Sequence, residues 1–340
     1  MATRKTRQWL LASRPQGMAK ESDFRLAEAT LPEPGPGEVV VRVIYLSVDP
    51  YMRGRISDGP SYAAPVPVGG LMVGGTVGQV IESRDPSLGV GDFVVGYLGW
   101  QDHGVASARG LRKLDPAAAP ISTAVGVLGM PGRTAYFGLL DVGCPRPGDT
   151  VFVSGAAGAV GSTVGQIARI AGCRVVGSAG GADKVRYLAE FGFDAAIDYK
   201  ADKDLRAALD RTCPGGVNVY FDNVGGPMTD AVIDRLALGA RVVICGQIAG
   251  FNERGREQGP RNLWQLIVSR ARVQGMLVSD FDHRAAEATA RLGQWLREGR
   301  IKHRETIVDG FENAPKAFIG LFSGANIGKQ LVRVSPDPTR

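Results

Sequence analysis

From Glu38 to about Tyr97, apolar residues come in short runs broken by glycine and charge. EVVVRVIYLSV is dense in β-branched side chains, VGGLMVGGTVGQVIES sets brief apolar runs between glycines, and GVGDFVVGY is a turn entering another strand. Many short strands with frequent turns predict a compact, antiparallel, partly barrel-like unit. Asp115–Gly132, rich in Ala, Pro and Gly, reads as a domain junction. After Pro147 the pattern changes. TVFVS, CRVVGSA, AAIDY, VNVYFDNVG, ARVVICG and RVQGMLV are strand-like runs that alternate with helical stretches. That alternation requires crossover connections and predicts an α/β unit, a parallel sheet with helices on both faces. Val160, Val164, Ile167, Ala168 and Ala171 recur at steps of three and four and give the first helix one apolar face. A later amphipathic helix ends at Gly299. The segment TIVDGFENAPKAFIGLFSGANIGKQLVRV then returns to the strand-rich pattern, so the chain is expected to rejoin its first domain.

Length and composition fit this division. A chain of 340 residues, 44% apolar and 22% charged, has room for two buried cores. Its net charge of +6 is scattered, apart from the basic run MATRKTRQ, which reads as a solvated tail rather than a nucleic-acid arm. Cys144, Cys173, Cys213 and Cys245 stand apart, without a CxxC pair or a close histidine. They suit free thiols in a reducing cytoplasm and argue against structural zinc. Neither a signal-peptide core nor an apolar run of membrane-spanning length is present, so no membrane or nucleic-acid partner is expected.

The stretch VFVSGAAGAVGSTVGQIARIAG, residues 151–172, passes from strand through glycines into helix. A phosphate cradle needs a strand end, a turn that a ligand can approach closely, and helix N–H groups aimed at the anion. Gly155, Gly158 and Gly161 are placed for that. Strict GxGxxG spacing would put its first glycine at 156, where Ala156 stands, so a merely structural turn remains an alternative. The second strand, VVGSAGGADK, carries no acid at Ser178 or Ala179 to bind a ribose 2′-hydroxyl. Lys184 follows closely, a cation suited to a 2′-phosphate, which favours NADP over NAD. Asp183 is a competing partner for a nearby base.

The stretches LSVDPYMRGRI, GMPGRTAYFGLL, AAGAVGSTVGQIA, GFDAAIDYK, YFDNVGG, VICGQIAGFN and GFENAPKAF…NIGKQLV lie in order from residue 46 to 332. Together they resemble the zinc-independent medium-chain dehydrogenases/reductases, in the branch of prostaglandin/leukotriene reductases, plant 2-alkenal double-bond reductases and bacterial curcumin reductases. The resemblance implies a GroES-like β-rich domain, residues 1–126 completed by 303–340, and a Rossmann doubly wound parallel-sheet domain, residues 127–302. It implies NADPH as cofactor, hydride delivery to the β-carbon of an α,β-unsaturated aldehyde or ketone, and a homodimer. Carried over by position, Gly158, Ala159, Val160 and Gly161 would cradle the pyrophosphate, and Lys184 and Tyr199 would meet the 2′-phosphate. Asn223 would lie beside the cofactor. The loop Cys245–Phe251, with Gly246, and the strand Met276–Leu277–Val278 would border the nicotinamide side. Asn326 would close over the cofactor from the returning segment.

Where zinc-dependent relatives carry a first catalytic ligand, this chain has Val48-Asp49-Pro50-Tyr51, and His103, His283 and His303 stand alone. That disfavours zinc-assisted alcohol oxidation. Family members often carry a tyrosine in the loop after the fifth strand; here AGFN places Phe251 there, without a hydroxyl. Two substitutes remain for the proton donor: a cofactor ribose hydroxyl with water, or Tyr51 in DPYMR. Arg53 and Arg55 are read as solvated or ion-paired rather than substrate-attracting. A quinone reductase and a non-catalytic NADPH-binding protein are the competing readings.

Overall fold

The computed structural model describes residues 4–59, 61–253, 259 and 262–340. Residues 254–258, 260 and 261 of the loop FNERGREQGPRN, Pro60 and residues 1–3 lie outside the described set. Contacts divide the chain into two units. The first comprises residues 1–126, 305–326 and 330–340; the second comprises residues 127–304 and 327–329. The returning chain thus joins the first unit from Glu305, while Ile327–Lys329 belong to the second.

In the first unit the chain forms β1 (Lys5–Leu11), β2 (Phe24–Thr30), β3 (Glu38–Ser47), helix α1 (Met52–Arg55), β4 (Thr76–Ser83), β5 (Phe93–Gly96), β6 (His103–Ser107) and β7 (Arg112–Leu114). Strands β1 and β2 make an antiparallel ribbon. Residues 5–8 of the basic run at the start of the chain, expected to be a solvated tail, are therefore strand. Its charges misled the reading because each has a counter-charge nearby: Arg4 with Glu82, Lys5 with Glu28, and Arg7 with Asp102.

The second unit contains α2 (Met130–Phe137), β8 (Thr150–Val153), α3 (Ala159–Ile170), β9 (Arg174–Ala179), α4 (Ala182–Glu190), β10 (Ala195–Asp198), α5 (Leu205–Thr212), β11 (Val217–Asp222), α6 (Gly226–Ile233), β12 (Leu236–Ile244), α7 (Trp264–Ser269), β13 (Arg272–Gly275) and α8 (Ala285–Arg297). Its six strands form a parallel sheet in the order β10-β9-β8-β11-β12-β13. Alternate residues supply opposite faces. Val151, Val153, Val175, Val219, Phe221 and Val243 join one core cluster; Phe152, Val176, Tyr220 and Val242 join the other. Strand order reverses between β8 and β11, and ligands of such sheets bind at the carboxyl ends of the strands at that point.

Helix α3 has more than one buried face. Ser162, Thr163 and Gln166 are buried with the apolar residues, whereas Val160 and Ala171 are only partly covered. The polar positions are tolerated because they are satisfied. Gln166 Nε2 donates to Lys302 O (3.0 Å), Lys302 N donates to Gln166 Oε1 (2.7 Å), and Thr163 Oγ1 donates to Ala159 O (2.9 Å).

The chain returns as β14 (Glu305–Asp309), α9 (Ala314–Ser323) and β15 (Lys329–Arg333). The helix α9 departs from the strand-rich expectation. Pro315 sits in its first turn and Gly324 closes it in the left-handed conformation, both ordinary helix boundaries. Seven strands of the first unit form a sheet along the path β14-β15-β3-β4-β5-β7, with β6 also paired to β3. Behind it Trp100, Phe24, Phe311 and Phe318 pack in one aromatic core. No helix among the described residues is long and apolar enough to cross a membrane.

Candidate active site

The Gly-rich turn leaves β8 at Ser154. Gly155 takes φ +59°, a conformation that disfavours side chains. Gly158 caps α3 from an extended conformation (φ −85°, ψ 175°) that any residue adopts, with no side-chain cap. The first helical bond is donated by Ser162 N to Gly158 O. The N–H groups of Ala159, Val160 and Gly161 precede it and form the positive end of the helix. Gly161 has no room for a side chain: a Cβ there would lie 2.5 Å from Gly155 O and 2.8 Å from Ala156 Cα. The returning chain reaches the same turn, where Gly328 N donates to Ala157 O (2.8 Å). Asn326, partly buried, lies two residues earlier and belongs to the first unit.

At the end of β9 the chain runs through Gly180 and Gly181 into α4. The tip of Tyr199 reaches this corner, its hydroxyl 2.6 Å from where a Gly180 Cβ would stand, with Lys200 Cε at 2.9 Å. Asp198 Oδ1 ties the corner together, accepting from Gly181 N (2.9 Å) and Lys200 N (3.0 Å). Desolvation and the neighbouring Lys200 ammonium lower the Lys184 pKa. Two ammonium groups close enough to repel, one of them partly desolvated, mark a place where an added anion would be favourable. Asp183 pairs with Arg186 on the exposed face of α4.

At the switch point, Asn223 N donates to Ser154 Oγ (2.9 Å), and Asn223 Nδ2 donates to Ser154 O (2.8 Å). The loop after β12 is bound to the same place: Cys245 N and Gly246 N donate to Asp222 O at 2.8 and 3.0 Å, and Ala249 N to Val224 O at 3.0 Å. Desolvation by the core, with a contribution from the Asp222 carboxylate, pushes the Cys245 thiol up to about 12. Cys245 is therefore a neutral packing group. Phe251 caps the short 3-10 turn Ile248–Gly250. Met276–Val278, expected as strand, lies beyond it: β13 stops at Gly275, and Val278 opens a 3-10 helix. Only Met276 keeps a ladder-like bond, N–H to Ile244 O at 3.1 Å. The sequence reading passed over Ser154, Lys200 and Asp222, and took Gln247 only as part of the loop Cys245–Phe251. The one available signal was the polar residue ending each apolar strand, in VFVS and VYFD.

In the first unit, Tyr51 caps the single turn of α1. Desolvation raises its pKa far above the ordinary phenol value, with Asp49, Tyr97 and Tyr62 adding in the same direction. Arg53 is buried rather than solvated; its guanidinium donates to Gly17 O (2.8 Å) and to the Ser57 hydroxyl. Arg55 donates to Ala64 O (2.7 Å). His103 is held by Asp102. No group of three or more His, Cys, Asp or Glu among the described residues is arranged to hold a metal.

Residues 7–114 match the family model described as the N-terminal domain of oxidoreductase, and residues 159–294 match that of zinc-binding dehydrogenase. The NADPH-dependent curcumin reductase of Escherichia coli (strain K12) is 48% identical, over 98% of each chain. The 2-alkenal reductase (NADP(+)-dependent) of Nicotiana tabacum is 43% identical, over 97% of each. The crystal structure of CurA in complex with NADPH from Vibrio vulnificus has a TM-score of 0.92 at 45% identity, covering 97% of this chain and all (100%) of that one. Likeness along the whole chain, together with the reversed-order parallel sheet and its Gly-rich turn, places the protein in a family: it belongs to the zinc-independent medium-chain dehydrogenases/reductases, in the branch of the curcumin, alkenal and prostaglandin reductases.

Proposed function

We propose that this protein, an NADPH-dependent oxidoreductase of the curcumin, alkenal and prostaglandin reductase group, reduces the activated C=C bond of α,β-unsaturated aldehydes and ketones. The observation that carries the cofactor assignment is the corner after β9. The Tyr199 hydroxyl and Lys200 close over Gly180 there, Lys184 is near enough to feel the Lys200 charge, and no acid ends the strand. The residues present fit the cofactor: N–H groups opening α3 for the diphosphate, and cations for the additional phosphate.

Ala159–Gly161 would bind the diphosphate, and Gly158 would let it approach. Lys184 and Tyr199 would hold the 2′-phosphate. Asn223, the loop Cys245–Phe251 with Gly246, and Met276, Leu277 and Val278 would border the nicotinamide half, with Asn326 closing from the returning segment. Bound NADPH would supply the hydride for the substrate's β-carbon. As that bond forms, negative charge collects on the substrate carbonyl oxygen. Tyr51 is assigned to this oxygen. Its raised pKa keeps it a neutral hydrogen-bond donor to that oxygen, and a proton from solvent would complete the reduction at the α-carbon. Phe251, without a hydroxyl, contributes an apolar wall.

We also propose a homodimer formed by the open edge of the parallel sheet. All four residues of β13 are exposed, beside Leu263, Trp264, Ile267 and Val268 at and along α7. An unpaired strand edge next to an apolar helix face is an association surface, and two copies can pair through it about a two-fold axis.

Stopped-flow oxidation of NADPH with a panel of 2-alkenals, enones and quinones tests the activity. Accelerated oxidation with formation of the saturated carbonyl is expected. Turnover of quinones alone would make the protein a quinone reductase, and NADPH binding without turnover of any acceptor would make it non-catalytic.

A further inference from the structure

We infer that Asp222 is a positioning residue for the nicotinamide half of the cofactor site, acting through its fully buried carboxylate on the loop after β12. The inference rests on the cofactor reading above. Asp222 ends β11 and is 0% exposed. Its Oδ1 accepts from Ser154 Oγ (2.8 Å), Tyr220 Oη (2.7 Å), Val224 N (2.9 Å) and Gly225 N (2.9 Å). Its Oδ2 accepts from Thr229 Oγ1 (2.7 Å) and Gln247 Nε2 (2.9 Å). All six donors are neutral, an environment matched to an acceptor-only group.

A carboxylate is a costly way to fill a core, and well-packed apolar residues often replace buried charges without loss. What this one adds is connection. Its donors come from the end of β8, the turn entering α6, α6 itself and the loop after β12. Those segments meet at the carboxyl edge of the sheet, where the strand order reverses. Ser154, which Asp222 orients, also fixes the Asn223 side chain through its carbonyl. Gln247 is pinned over Gly225, where an added Cβ would lie 2.2 Å from its Oε1. Lys184, Lys200 and Tyr199 stand at a different corner, after β9, and take no part in this network.

Asp222→Asn separates the two halves. The amide keeps its oxygen toward the four donors on one side and turns an NH2 toward Thr229 and Gln247. The Thr229 hydroxyl can rotate to accept, whereas the Gln247 amide meets donor with donor, and the loop loosens. Titrations of wild type and variant with NADPH and with 2′,5′-ADP read the difference. NADPH is expected to bind about tenfold more weakly, the loss of one hydrogen bond to a charged group, with 2′,5′-ADP unchanged within about twofold. Gln247→Met, which removes a single donor, is expected to show the same split and serves if Asp222→Asn does not fold. Equal weakening of both ligands makes the role merely structural, and no change in either removes it; both results overturn the inference. A wild type that binds neither ligand overturns the cofactor reading, and this inference with it.

Discussion

Two glycines three residues apart should fail in different ways when each becomes alanine. At Gly161 the added Cβ meets three backbone atoms at 2.5, 2.8 and 3.0 Å, and backbone cannot rotate aside. Helix α3 must move off the turn. Overpacking of this kind costs about 1–3 kcal/mol, offset by about 1 kcal/mol of gained helix propensity. The net loss of up to about 2 kcal/mol corresponds to a fall of up to roughly 8 °C in Tm for a unit of this size. At Gly158 the dihedral angles suit alanine, and the nearest heavy atom to the added Cβ is Gly155 O at 3.3 Å. The weaker cap and the reduced freedom of the unfolded chain nearly cancel, leaving apo stability within about 0.5 kcal/mol of wild type. The methyl group instead stands where the diphosphate would approach α3. Losing one charge-assisted bond there weakens NADPH about tenfold or more. At a concentration that is 100 times the wild-type Kd, wild type gains about 2.7 kcal/mol from NADPH and the variant about half that. Calorimetric melting with and without NADPH separates the two. The reasoning is refuted if Gly158→Ala keeps the full NADPH-induced shift, or if its apo Tm falls as far as that of Gly161→Ala.

Lys184→Ala should weaken NADPH roughly 10–100-fold and leave NADH unchanged, read by fluorescence titration. A bound phosphate raises the pKa of Lys184, which burial and Lys200 have lowered in the free protein; NADPH affinity should therefore fall as pH climbs toward the usual lysine value of about 10.4, and a flat profile would exclude Lys184 as ligand. Phe251→Tyr should raise enone turnover on the order of tenfold, the low side of a placed general acid, while quinone turnover stays fixed; unchanged enone turnover discards a role for the absent hydroxyl. Trp264→Asp should shift the dimer to monomer in sedimentation equilibrium, since a buried aromatic anchor contributes on the order of 2 kcal/mol or more. A wild-type monomer would refute that surface.

The parallel half of the molecule was legible because its central strands, β8, β9 and β11, are buried on both faces and its strands are separated by helical periodicity, so each declares itself locally. The glycines of the first turn were legible for a similar reason, since the chain's own geometry demands them. Other features depend on residues distant in sequence. Strand β1 looked like a charged tail because Glu28, Glu82 and Asp102, which pair its cations, lie far along the chain. Gly180 is small because Tyr199 and Lys200 fold over it. Asp222 was passed over because an acid ending an apolar strand has no periodic signature, and one of its donors, Ser154, is 68 residues away. Met276–Val278 carried a strand's composition, yet the pairing stops at Gly275.

Strand β15 lies between β14 and β3, so an interior strand of the first sheet comes from a segment far along the chain from β3. Until residues 331–333 leave the ribosome, Tyr45–Ser47 at the end of β3 lack their β15 partner and the first unit is unfinished, whereas most of the second unit is contiguous and free to fold earlier. Trimming a dozen residues from the carboxyl end would accordingly take out a middle plank rather than fray an edge, and would harm a unit whose sequence begins more than 300 residues upstream.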